Sequence, residues 1–166
     1  MLDSINSYLL KKSKYISRAE ALSRMQRYCA YQERSHREVR GKLLDLNIYG
    51  DDLEEILAQL IADNFLNEER FARTYARGKF RMKQWGKRRI VQELKRHEVS
   101  DYSIRKALEE ISEKDYNITL QEVIQKKKAS LAETDNFILR NKIAQYAISR
   151  GYEPDLVWQI LETIFK

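Results

Sequence analysis

An apolar pattern recurs along this chain at a spacing that limits the folds open to it. Val39, Leu43, Ile48, Leu53, Leu57 and Ile61 have counterparts 51 positions on, at Ile90, Leu94, Val99, Ile104, Leu108 and Ser112. Only the last counterpart is polar. A further shift of 53 reaches Ile143, Ala147, Tyr152, Val157 and Leu161. The apolar positions follow the period of a helix face, and each copy is preceded by another helical stretch, at 17–32, 67–83 and about 116–131. The pattern predicts an all-α chain of three tandem three-helix repeats, forming an elongated, gently curved body. Repeats of this period stack on their neighbours because one unit buries little core alone. The expected boundaries are an N-terminal extension at 1–16, then repeats at 17–66, 67–112 and 113–166.

Local signals fit that division. In the first repeat, Ala21, Leu22, Met25, Tyr28 and Cys29 share one helix face. Ser35 and Glu38 have the spacing of a capping box, which starts a second helix burying Val39, Leu43, Leu44 and Leu46. Asn47 is suited to close that helix in the left-handed conformation. A third helix starts near Asp51 or Asp52, with Leu53, Ile56, Leu57, Leu60 and Ile61 on its apolar face. The closing position recurs as Glu98 and Gly151. Glu is strained there, whereas Gly is not. Pro154 fits the first turn of the last helix. In the lead-in, Ile5, Tyr8, Leu9 and Leu10 form an apolar patch that either docks on the body or belongs to a frayed extension.

Charge is distributed unevenly over this frame. Residues 1–66 carry ten bases and ten acids, and 113–166 carry eight of each. The block 67–112 has thirteen bases against seven acids, and so holds the whole net charge of +6. From Arg70 to Arg96 there are eleven Lys or Arg and one acid, Glu93. The segment reads as a long helix, a basic loop at Lys79–Gly86 and two shorter helices. Its candidate contact residues are Arg77, Lys79, Arg81, Lys83, Lys87, Arg88, Arg89, Lys95 and Arg96. Such a run is either a charged helical surface neutralised from elsewhere or a face for a polyanion, binding with salt-dependent and largely sequence-independent affinity. Trp85 lies inside it and either stacks on a base or pins the loop to the core. Gly86 gives the backbone freedom where the loop enters the next helix. Lys126, Lys127 and Lys128 read as a solvated face.

Residues for catalysis are lacking. The two histidines, His36 and His97, have no metal-ligand spacing and read as exposed caps. Gly78 and Gly86 stand alone, so there is no phosphate loop. No catalytic, metal or cofactor site is expected. Cys29 is the only cysteine, which excludes an internal disulfide and fits a reducing compartment. The first twenty residues have too short an apolar run for a signal peptide or membrane span. The expectation is a soluble, monomeric, cytoplasmic protein.

The segment Asn64-Phe65-Leu66-Asn67-Glu68-Glu69-Arg70-Phe71-Ala72 with Tyr75, followed by Gly86-Lys87-Arg88-Arg89-Ile90 and Glu93-Leu94, resembles the central signature of the RecX regulators of bacterial RecA recombinase. Arg34-Ser35 with Glu38-Val39 and Leu43 is similar to that family's first-unit signature, and Arg150-Gly151-Tyr152 fits its third. The likeness runs from about residue 18 to the end. Departures are Asn67 ahead of the acidic pair, Asn47 and Glu98 where glycine is usual, and Gln84-Trp85 before Gly86. The resemblance implies a non-enzymatic modulator that lies in the groove of the RecA filament on single- or double-stranded DNA. Its effect there would be to reduce strand exchange, ATP hydrolysis and coprotease activity, and so to affect DNA repair, homologous recombination and the SOS response. Two other functions are compatible with the basic middle: a stand-alone nucleic-acid-binding helical module, and an adaptor for some other acidic protein.

Overall fold

The computed structural model describes residues 16–165. Among them are nine α-helices and no strand. They are α1 (Arg18–Tyr31), α2 (His36–Asp45), α3 (Gly50–Ala62), α4 (Glu68–Lys83), α5 (Lys87–Arg96), α6 (Asp101–Leu108), α7 (Glu113–Ala129), α8 (Asn136–Ser149) and α9 (Pro154–Ile164). The apolar patch at Ile5, Tyr8, Leu9 and Leu10 lies outside the described residues.

Most helix starts are set by a short polar side chain that accepts a first-turn amide. Ser17 accepts from the Glu20 N–H, Asn67 from Arg70, Ser100 from Ser103, Ser112 from Asp115 and Asp135 from Ile138. Ser35 and Glu38 form the full capping box: the Glu38 N–H donates to Ser35 Oγ at 3.1 Å, and the Ser35 N–H donates to Glu38 Oε2 at 2.8 Å. The Ser112 cap starts α7 at Glu113, three residues before the apolar phase alone places it. Pro154 occupies the first turn of α9, as its missing amide allows.

The helix ends repeat a single device. Asn47, Glu98 and Gly151 all have positive φ, at 59°, 59° and 96°. In each case the next residue's amide reaches back to the helix, Ile48 to Leu43, Val99 to Leu94 and Tyr152 to Ala147, at 3.0–3.3 Å. These are Schellman closures, which satisfy carbonyls the helix leaves open and turn an apolar residue inward. Asn64 ends α3 in the same way.

The chain forms two compact units, one ending at Leu66 and one starting at Asn67. In the first, α1 and α2 pack on α3 around Met25, Val39, Leu43, Ile56 and Leu60. Ile16, which the sequence places in the lead-in, is buried in this core. Leu44 and Ile61, expected inside, are 43% and 48% exposed. Val39 and Leu43 fill the buried stripe of α2, and Leu44 sits a hundred degrees around the helix from Leu43. Ile61 follows the buried Leu60, one residue before α3 ends.

The second unit holds two helix triplets around one continuous core. Phe71, Phe80, Ile90, Leu94, Tyr116, Leu120, Ile143, Tyr152 and Leu161 all belong to it. The basic stretch at Lys79–Gly86 is not a loop. Helix α4 continues to Lys83, and only Gln84, Trp85 and Gly86 connect it to α5. Phe80 is buried, which holds this last turn to the core, and Arg81 and Lys83 favour the negative end of the helix dipole. Gln84, at φ 51°, ends it.

Glu98 is the closing residue least suited to its φ. Glu98→Gly should raise the unfolding free energy of the second unit by about 1 kcal/mol. Urea unfolding should show a higher midpoint with an unchanged slope.

Candidate functional site

The start of the basic helix α5 is fixed by backbone contact. The Gly86 N–H donates to the Arg150 carbonyl at 2.8 Å, and the Arg88 N–H donates to the Gly151 carbonyl at 3.1 Å. The α4–α5 connection and the α8–α9 turn are therefore joined as two touching backbones. A Cβ on Gly86 would lie 2.2 Å from the Gly151 carbonyl carbon. Gly86 itself has an ordinary φ of −71°. Its lack of a side chain serves close approach, not the conformational freedom the sequence suggests. Gly151 needs glycine on both counts, since its φ is 96° and its Cβ would meet that of Arg89 at 2.4 Å.

Two tyrosines complete this joint. Tyr116 on α7 is 1% exposed and accepts the Lys87 N–H at 2.9 Å while donating to Glu153 Oε2 at 2.7 Å. Tyr152 is fully buried 5.2 Å from the Tyr116 ring and donates to the Gln84 carbonyl at 3.1 Å. The Arg150 guanidinium donates to the Lys83 carbonyl. Burial pushes both phenols well above the ordinary tyrosine range, so they remain neutral hydrogen-bonding groups. Sequence reasoning misses this role for Tyr116, Tyr152, Arg150 and Glu153. One trace of it is present there: Tyr152 is the aromatic member of a repeat position otherwise filled by Ile48 and Val99.

From the joint, α5 turns Ile90 and Leu94 inward and presents Arg88, Gln92, Lys95 and Arg96 outward. Its first turn holds Lys87, Arg88 and Arg89 and no acid. Cations at the positive end of a helix dipole each cost roughly 0.3–1 kcal/mol. Glu113 and the Tyr116 ring offset that cost for Lys87, and the Trp85 ring offsets it for Arg89, whereas Arg88 has no such partner among the described residues.

The nine expected contact residues do not form one face. Arg88, Arg89 and Arg96 line a cleft of about 650 Å³ with Gln92, Glu93, Ile148, Ser149 and Gly151. Lys95 is exposed on the same outer side of α5, and neither it nor Arg88 has an ion-pair partner among the described residues. Arg96 pairs with Glu93 at 2.7 Å and stays 65% exposed. The Arg89 guanidinium carbon lies over the Trp85 ring, 4.2 Å from its centroid.

The remaining residues are placed elsewhere. Lys87 meets Glu113 at 2.5 Å and lies over the Tyr116 ring. Arg77 shares Glu110 with Arg73. Lys79 sits over the rings of Tyr75 and Trp85. Arg81 opens towards Asp115 and Glu122 in a separate shallow cleft, and Lys83 is exposed at the end of α4. Trp85 is half-buried against the core between two cations, so it anchors the connection.

Other expectations need correction. His36 and His97 are half-buried rather than exposed; His97 does take the C-cap position of α5, and its ring packs 5.2 Å from Phe71 and 5.3 Å from Tyr75. Lys127 and Lys128 fold over the rings of Tyr146 and Phe165 instead of extending from a solvated face. Among the described residues, no group of three or more His, Cys, Asp or Glu is placed to hold a metal, and no helix is long and apolar enough to cross a membrane.

Comparison with known proteins gives consistent matches. Residues 67–108 match the family model described as RecX, second three-helix domain, and residues 115–161 match RecX, third three-helix domain. Together they span more than half of the chain. A Regulatory protein RecX from Prosthecochloris aestuarii is 28% identical over 147 residues, covering 87% of this chain and 93% of the relative. One from Clostridium perfringens is 29% identical over 124 residues, covering 74% of this chain and 58% of the relative. One from Bacillus cytotoxicus is 26% identical over 137 residues, and this chain spans about half of its length, 51%. A crystal structure of RecX from Lactobacillus salivarius superposes with a TM-score of 0.80 at 23% identity, covering 88% of this chain and 95% of that one. At that identity the likeness concerns the fold.

Tyr116→Phe tests the joint directly. It leaves the Lys87 N–H and the Glu153 carboxylate without their shared partner, at a cost of about 1–3 kcal/mol. The thermal midpoint of the second unit should fall by several degrees, about 4–8 °C per kcal/mol for a unit of this size.

Proposed function

The chain belongs to the RecX family, and on that premise we propose that it docks on the RecA filament on DNA and lowers its strand-exchange, ATPase and coprotease activities. It acts by occupation and not by catalysis, as a cytoplasmic monomer working in DNA repair and recombination. The observation that carries this reading is the outer side of α5. Arg88, Lys95 and Arg96 stand there beside Arg89, with Glu93 paired to Arg96. The Arg88 cation in the first turn of α5 supports a binding role, because it stands at the unfavourable end of the helix dipole with no ion-pair partner among the described residues.

The counter-charges around the other bases narrow the contact set. Lys87, Arg77 and Lys79 are engaged with Glu113, Glu110 and the aromatic rings, so they serve the fold first. A Lys87–Arg88–Arg89 alanine triple would damage the joint along with the contact face. The clean variant is Arg88→Ala with Lys95→Ala and Arg96→Ala.

A second reading, a stand-alone nucleic-acid-binding module, draws on the same face. A polyanion would meet these cations whether or not a recombinase is present.

ATP hydrolysis by RecA on single-stranded DNA tests the proposal. The wild-type chain at stoichiometric amounts should lower the rate. The triple variant should do so about tenfold less effectively, with a salt dependence flatter by roughly 0.7–0.9 in log–log slope for each phosphate it no longer neutralises. No change in rate with the wild-type chain rejects the recombinase reading, and tight DNA binding in its place favours the stand-alone module. Arg88→Glu separates binding from folding. It should weaken the effect on the filament while stabilising α5 by up to about 1 kcal/mol, read by thermal unfolding.

A further inference from the structure

We propose that the cleft between α5 and the α8–α9 turn is a phosphate-binding pocket in which Arg88, Arg89 and Arg96 converge on phosphoryl oxygens. The inference concerns this cleft alone and does not depend on the recombinase reading.

Arg88, Gln92 and Arg96 follow one another at helical spacing, so their side chains line one wall. Gly151 and the end of α8 form the opposite wall. Gly151 has no Cβ and approaches Arg89 directly, which keeps this side of the cleft low and rigid. The Arg88 backbone is tied to the Gly151 carbonyl, so both walls move as one body. Arg89 is stacked on Trp85 and cannot sweep freely through solvent. A pre-ordered guanidinium loses less entropy on binding than a mobile one.

Charge and size favour phosphate over carboxylate. Three guanidinium groups face one carboxylate, Glu93, and leave the cleft two charges positive. Glu93 already serves Arg96 as a carboxylate partner, at 2.7 Å. A second carboxylate would enter beside it with one negative charge and two oxygens. A phosphate group brings more acceptor oxygens and suits the planar forks of Arg. The volume of about 650 Å³ is within the range of small-ligand sites and holds more than one phosphate group. Two sources share this chemistry: the backbone of a nucleic acid and a free polyphosphate such as pyrophosphate.

The test uses the full chain with two probes and no recombinase. Calorimetry follows inorganic pyrophosphate, and fluorescence anisotropy follows a labelled single-stranded oligonucleotide. Saturable pyrophosphate binding that falls about tenfold in both Arg88→Ala and Arg96→Ala supports the pocket. Glu93→Gln should tighten it several-fold, a gain that misfolding cannot produce. Lys114→Ala, on the exposed surface of α7, should leave it unchanged. If the same variants also weaken the oligonucleotide, and pyrophosphate displaces it, the backbone is a source. If only the oligonucleotide binds, and each variant lowers its log–log salt slope by roughly 0.7, the pocket accepts backbone phosphate alone. Neither probe responding to Arg88→Ala or Arg96→Ala overturns the proposal. Equal competition by potassium glutamate at matched ionic strength also overturns it, because the cleft would then be a general anion surface.

Discussion

Two backbones touch where the α4–α5 connection meets the α8–α9 turn, and the second unit is arranged around that contact. Gly86 and Gly151 let the chains approach within a distance that no side chain tolerates. Two amide hydrogen bonds, the paired phenols of Tyr116 and Tyr152, and the Arg150 guanidinium then surround it. The two glycines and the two tyrosines are buried, and buried donors and acceptors are costly to leave unpaired. The joint therefore tolerates few partial versions. It fixes the start of α5, and with it the direction in which the arginines of that helix point.

Charge and structure divide the basic residues by neighbourhood rather than by sequence position. Lys87, Arg88 and Arg89 are adjacent in the chain but have three different surroundings: a carboxylate above a tyrosine ring, open solvent, and an indole face. A helix distributes consecutive side chains over three directions, because each step turns by a hundred degrees. A cationic run in the sequence is thus partly structural cement and partly exposed face, and the membership of each class is set by what α7 and the connection bring near. In a chain of the RecX family, the exposed class is the one available to a partner.

The helical architecture is legible in the sequence because it rests on local signals. The apolar phase around Val39, Ile90 and Ile143, the Ser35–Glu38 box and the left-handed closures at Asn47, Glu98 and Gly151 are all fixed within a few residues. Whatever depends on distant partners is not. Lys87 meets Glu113, and Arg77 meets Glu110, through packing that no nearby spacing announces. Gly86 stands out in the sequence for the wrong reason, since its φ is ordinary and its partner lies in another helix triplet. His97 caps α5 as its position suggests, but its ring is not exposed, because it packs against Phe71 and Tyr75 once α4 and α5 come together.

The separation of the two glycines bears on how the chain is made. Gly151 follows Gly86 by sixty-five residues, so a polypeptide emerging from the ribosome has α4, α5 and α6 in hand long before the contact that seats them exists. The first unit has its own core and can settle early. The second must wait, with the inner faces of Phe80 and Ile90 lacking their final cover, until nearly the last helix is released. Synthesis order thus makes the basic helix one of the first parts translated in its unit and one of the last to acquire its working orientation.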